Sequence, residues 1–177
     1  MNLFRQTDPT YPFSWEGPQQ PQARWHGPGE GPVHYFATTP EGAWAEFLRH
    51  EEITDPEDLK GLRERAMWIV TLPDSHLARP NLPQAVLLGG LESYAACQAE
   101  ARRLREAGTK GLRAPSAALA PGGAILYHLG AVEDEAERRT PSDSEVVALF
   151  GQHPDLKARL CALGRPDAGV LRFVRPL

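Results

Sequence analysis

Five side chains in this sequence could do chemistry without belonging to any standard catalytic signature: Arg24 with Trp25 beside it, Tyr35, Glu46 and Ser116. A guanidinium presents a planar fork of donors that suits phosphate oxygens. Lys60, Lys110 and Lys157 are the only lysines among 19 Lys and Arg residues, so an anion site here is expected to use arginine. Familiar motifs fail around this set. Gly27-Pro28-Gly29-Glu30-Gly31 is glycine-rich, but it runs into a strand-like segment, whereas a dinucleotide loop runs from strand to helix. No GxxxxGK[ST] occurs, and Ser116 sits in Ala-Pro-Ser-Ala-Ala, not in a GxSxG elbow. The six histidines, at positions 26, 34, 50, 76, 128 and 153, show no HxH or HExxH spacing, so no metal site is expected. Taken singly, four of the five also have an ordinary role: solvated surface for Arg24, core for Tyr35, the polar edge of a helix for Glu46 and a turn or cap for Ser116.

The elements that must position these residues can be read from spacing. Residues 1–32 hold six prolines and four glycines and predict an irregular arm. Val33–Ala37 is β-prone, with Val33, Tyr35 and Ala37 on one face. Thr39 then reads as an N-cap and Pro40 as the first residue of a helix to about His50; Ala43, Trp44, Phe47 and Leu48 form its apolar arc, and Glu46 falls just outside. Ala66–Leu72 predicts a buried strand and Gln84–Leu88 a short one. A helix opens at Glu92 or Ser93, keeps Tyr94, Cys97, Ala101 and Leu104 on one face and stops at Gly108. Arg102, Arg103 and Arg105 on its other face read as a solvated stripe. Gly111–Ala114 and Ala124–Leu129 are β-prone, the acidic Glu133-Asp134-Glu135 follows, Ser144–Phe150 and Pro154–Leu163 predict short helices, and Val170–Val174 predicts a last strand. The sum is one α+β domain.

Composition narrows the function classes. A chain of 177 residues with 41% hydrophobic and 24% charged residues is long enough for its own core. Its net charge of -4 argues against a polyanion-binding surface, so no direct nucleic acid binding is expected. No apolar run approaches a bilayer span, and Met1–Trp15 lacks the apolar stretch of a secretory signal, so a cytoplasmic location without membrane association is expected. Cys97 and Cys161 lie far apart with no CxxC, which suggests neither a disulfide framework nor a zinc knuckle.

A family resemblance joins the scattered residues. Ala23-Arg24-Trp25-His26 with its glycine-rich loop, Val33-His34-Tyr35-Phe36-Ala37, Ala43-Trp44-Ala45-Glu46, and Gly111-Leu112-Arg113-Ala114-Pro115-Ser116-Ala117 ahead of Ile125-Leu126-Tyr127 resemble, in this order, the RES domain, named for its Arg, Glu and Ser. The likeness covers about residues 17–130. It implies an ADP-ribosyltransferase-like fold, a mixed β-sheet core with flanking helices. It further implies the toxin of a RES and Xre toxin-antitoxin pair that cleaves NAD as a substrate, with no cofactor and with an Xre-type antitoxin as partner. In that role Arg24 would hold phosphate oxygens, Tyr35 and Trp25 would stack on the nicotinamide or its ribose, Glu46 would stabilise the positive charge developing at C1′, and Ser116 would position the ribose. Water, inorganic phosphate or a cellular protein could each accept the ADP-ribosyl group, and a RES-like module acting by binding alone is the alternative of another class. Many family members carry Asn where this chain has His26. The resemblance implies an N-terminal arm over 1–16, an NAD-binding domain over 17–135 and an extension over 136–177 packed on the same domain; a homo-oligomer stays open.

Overall fold

The computed structural model describes residues 1–14, 20–73, 77–128 and 138–177. In chain order it contains β1 (Asn2–Thr7), β2 (Val33–Ala37), α1 (Pro40–His50), α2 (Pro56–Gly61), β3 (Arg65–Thr71), α3 (Gln84–Leu88), a 3-10 turn (Leu91–Ser93), α4 (Tyr94–Glu106), β4 (Gly111–Pro115), β5 (Ala124–His128), β6 (Arg138–Ser142), β7 (Glu145–Phe150), β8 (Ala158–Gly164) and a second 3-10 turn (Ala168–Phe173). Six strands form one sheet in the order β4-β7-β2-β1-β3-β8, and β5 pairs with β6 in a separate ribbon. The class is α+β, as expected. The large sheet is not mixed: the strand pairings are antiparallel, and the parallel contact among the described residues is an isolated bridge between Ala78 and Leu112.

Several elements follow their local signals. Thr39 caps α1, its side chain accepting from the Gly42 N–H at 3.0 Å, and Pro40 opens the helix. Gly108 ends the segment after α4 at φ +81°, the left-handed conformation glycine adopts freely. Cys97, Ala101 and Leu104 of α4 pack with Trp25, Val33, Leu112 and Ala148 in one core cluster. On the other flank, Ala45, Phe47 and Leu48 of α1 meet Ala118, Leu119 and Val170 in a second.

Others depart from the sequence reading, each for a tertiary reason. The opening segment is not an irregular arm throughout, because β1 lies inside the sheet and pairs Asn2 to Thr7 with Thr71 to Ala66. Ser144–Phe150 is not helical: residues 146–150 are all buried in β7, between β2 and β4, and such a doubly covered strand is apolar without alternation. Pro154–Leu163 carries Leu156, Leu160 and Leu163 at helical spacing, yet from Ala158 onward it is β8, because the edge of β3 offers it six paired positions. Gln84–Leu88 is a single helical turn begun by Pro83, whose carbonyl accepts from the N–H groups of Val86 and Leu87. It finds no sheet edge, since Ala78 already covers β4 through bonds to Gly111 and Arg113. Val170–Val174 lies in a 3-10 turn and its end, the turn being started by the Asp167 side chain accepting from Gly169 N–H. The segment Glu133–Glu135 and Leu129 lie outside the described residues. Among those described, no helix is long and apolar enough to cross a membrane.

Candidate active site

The centre of the sheet is split. β1 and β2 are neighbours, but Phe4 and Ala37 are their one registered pair, whereas β1 and β3 share six. A cavity of about 230 Å³ opens there, and Arg5, Arg24, Trp25, Tyr35, Glu46 and Arg49 all contribute to its wall. Four of the five residues singled out from sequence are thus brought together. Ser116 is 4% exposed and stands behind the wall, with its neighbour Ala117 on the cavity.

Glu46 projects from the stripe of α1 that also carries Ala43, Arg49 and His50 along the cavity. It is half-buried with protein packed about its carboxyl group. Burial pushes that carboxyl above the usual carboxylate range, opposed by the charges of His50, Arg49 and Arg24 and by a hydrogen bond from Ser116. Ser116 has a defined part in this. Its Oγ accepts from the N–H groups of Ala118 and Leu119 at 3.2 and 3.0 Å, which leaves its own proton for Glu46 Oε1 at 3.4 Å. The serine therefore orients the carboxylate and closes its own turn.

Arg24 is held by structure. It is 8% exposed; Nη1 donates to Ser93 Oγ at 2.8 Å and to the Val86 carbonyl at 3.3 Å, Nη2 donates to the Gly89 carbonyl, and the guanidinium lies 5.1 Å from the centre of the Tyr94 ring. Trp25 is 1% exposed and belongs to the core cluster beneath the cavity, so its ring is wall and packing. Tyr35 anchors the loop that bears both. Its hydroxyl accepts from the Trp25 N–H at 3.0 Å and bonds His26 Nδ1 at 2.9 Å, while His26 Nε2 faces the Pro21 carbonyl at 2.8 Å. A carbonyl can only accept, so Nε2 carries a proton; in the neutral ring Nδ1 then accepts from the tyrosine. Burial holds His26 below its ordinary value, in keeping with that neutral form, and pushes the Tyr35 phenol up. His26 is thus a fully buried strut.

The arginine stripe of α4 also serves this loop. Arg102 pairs with Glu30 at 2.8 Å, and Arg105 donates to the carbonyls of Glu30 and Trp25 and covers the Phe150 ring at 4.5 Å. Arg103 pairs instead with Glu100 on its own helix.

Two cavity residues escaped the sequence reading. Arg49, 4% exposed, donates from Nη1 to the Ala117 carbonyl at 2.7 Å and from Nη2 to the Gly89 carbonyl at 3.2 Å, and its buried Nε has no hydrogen-bond partner. Its signal was available, three positions after Glu46 on one helical stripe. Arg5 is more exceptional. Its buried Nη1 has no hydrogen-bond partner, no ion pair among the described residues engages the guanidinium, and its Cζ lies 6.0 Å from the centre of the Phe36 ring. Burial alone pulls its proton affinity down. Nothing local marks it, because the same residue type in an irregular arm would be solvated.

A family model described as the RES domain matches residues 3–167. The chain belongs to the RES domain family. No curated protein matches it. The matched span takes in β1 from Leu3 onward, with Arg5, and all of β7 and β8, so it reaches beyond the stretch whose motifs carried the resemblance. In this RES domain a carboxylate of raised proton affinity thus shares a cavity lining with three arginines, two of which hold a buried N–H donor with no hydrogen-bond partner.

Proposed function

We propose that this RES domain cleaves NAD at the bond between nicotinamide and ribose, as the toxin of a toxin-antitoxin pair that depletes NAD and arrests growth. One observation carries the reading: Arg5 and Arg49, each holding a buried N–H donor with no hydrogen-bond partner, line the same cavity as Glu46. Buried donors without partners are costly in a folded protein, and a water, an ion or a ligand that completes their bonding relieves that cost. A ligand that suits this set has anionic oxygens for the guanidiniums and a centre of developing positive charge for the carboxylate. NAD has both, in its pyrophosphate and its C1′.

In this assignment Arg5 and Arg49 take phosphate oxygens through charge-assisted bonds. Glu46, held by Ser116, stabilises the oxocarbenium-like charge at C1′ as the C–N electron pair leaves with neutral nicotinamide. Arg24 acts through its surroundings: it fixes the Val86–Ser93 wall and adds a positive field at Glu46. Tyr35 and Trp25 shape the wall and hold the arginine loop. A cavity of about 230 Å³ is smaller than the ~300–1,000 Å³ of pockets that enclose a drug-sized ligand, so it takes one end of the dinucleotide. Water or inorganic phosphate completes the reaction at C1′, and an Xre-type antitoxin neutralises the toxin by covering the cavity.

Purified protein incubated with NAD, with and without phosphate, tests the reading through nicotinamide release and the identity of the ADP-ribosyl product. Release by the wild type, with Glu46→Gln and Arg5→Gln each reduced by roughly a hundredfold or more, is the expected result. A wild type that releases no nicotinamide, or variants as active as it is, would overturn the assignment.

A further inference from the structure

The two edges of the six-stranded sheet are finished differently. At β4 the outer edge is covered, Ala78 donating to the Gly111 carbonyl and accepting from the Arg113 N–H. At β8 no strand among the described residues pairs with the outer side, and residues 159–163 are all exposed. An open edge presents a row of unused N–H and C=O groups that another strand can complete, and natural edges are usually blunted by charge or proline. β8, Ala-Arg-Leu-Cys-Ala-Leu-Gly, has a single charge and no proline.

Its apolar residues are also arranged on one side. Leu160 and Leu163 are three positions apart, which in a regular strand would send them to opposite faces. An extra residue, Cys161, interrupts the ladder: Leu160 pairs with Trp68, Ala162 with Met67 and Leu163 with Ala66. The bulge therefore turns both leucines to the face of Ala66 and Trp68, where they stay 50% and 57% exposed.

We propose that β8 is a homodimer interface, on which a second copy of this chain adds its own β8 antiparallel, continuing the sheet across a twofold axis. The pattern is self-complementary. With the axis between Cys161 and Ala162, Leu160 stands opposite Leu163 of the second copy and the reverse, so four leucines meet on one face. In the same register Arg159 stands opposite Gly164 and Arg165 opposite Ala158, so no arginine faces another. An interface of this kind draws its affinity from the backbone ladder and its register from the side chains. It leaves the split between β1 and β2 untouched and does not depend on the NAD assignment.

Analytical ultracentrifugation of the full chain from micromolar to near-millimolar concentration tests the proposal, together with the Leu160→Asp, Leu163→Asp double variant. Both positions are more than half or half exposed, so the variant keeps its fold, which circular dichroism verifies. A wild-type dimer whose dissociation constant rises by roughly a hundredfold or more in the variant is the expected result, with the β8 amides that point away from β3 gaining exchange protection as concentration rises. A wild type that stays monomeric, a folded variant that dimerises equally well, or a dimer whose β8 amides gain no protection each overturns it.

Discussion

Arg5 and Glu46 show what the cavity costs the folded protein and what it gains. The Arg5 guanidinium has lost water at Nη1 and gained no hydrogen bond in return, and an unsatisfied buried donor costs about 1–3 kcal/mol. Arg5→Met keeps the apolar stem while removing that debt. It is expected to raise the melting temperature by about 2–4 °C for each kcal/mol recovered and to abolish nicotinamide release; a lower melting temperature would show instead that the guanidinium supports the fold. At Glu46 the sign follows from burial, which raises the carboxyl pKa, while neighbouring cations oppose it. In the proposed reaction the ionised form is the active one, so activity is expected to fall as pH drops through a value above the ordinary carboxylate range. Arg49→Gln removes one of the opposing charges, and the acid limb of kcat against pH is expected to move to higher pH. An unmoved limb in that variant would detach Arg49 from the carboxylate. Glu46 and Ser116 were legible as motif residues. That Arg5 and Arg49 keep unused donors was not, since a missing partner is a fact of the packed molecule and leaves no trace in local sequence.

Helix α1 turns those side chains into a site, and its fit against the sheet is close. Gly42 lies in its first turn, where alanine would ordinarily stabilise a helix by about 1 kcal/mol. Here a Cβ would stand 2.1 Å from Ser144 Oγ, 2.9 Å from Ser144 Cβ and 3.1 Å from Ala37 Cβ. Gly42→Ala is therefore expected to destabilise the protein by about 1–3 kcal/mol in urea denaturation and to lower turnover, because the helix that must shift carries Glu46; a stabilised variant would refute the packing argument. Elements of this sort were largely legible. The Thr39-Pro40 start of α1 and the apolar face and glycine stop of α4 are local signals that the helices' own hydrogen bonds honour, and the β-prone run of β2 forms its strand against β7. β7 and β8 were not, because Val146–Phe150 and Leu156–Leu163 carry apolar spacings that a buried strand and a helix share. Only the strands beside them decide between the two.

At the scale of the molecule, the sheet order decides which parts of the chain can stand alone. β2 lies between β7, which comes more than a hundred residues later, and β1, which comes from the first seven residues. Sequence periodicity reads short windows, so it locates elements without revealing that the two ends of the chain meet around β2; this is why residues 1–16 and 136–177 read as additions. The physical consequence is a test of those boundaries. A fragment of residues 17–135 keeps β2, β3, β4 and the helices, yet it lacks β1 on one side of β2 and β7 on the other, and with them every ladder that joins β2, β3 and β4 into a sheet. Val147, Ala148 and Leu149, among the most buried residues of the core, go with it. Isolated strands with unpaired backbone on both sides do not hold in water, so the fragment is expected to lose the cooperative thermal transition of the full chain and to bind no dinucleotide. A cooperatively melting fragment 17–135 would mean that the helices and their clusters fold without the sheet, and that β1 and β7 are later additions to a smaller stable unit.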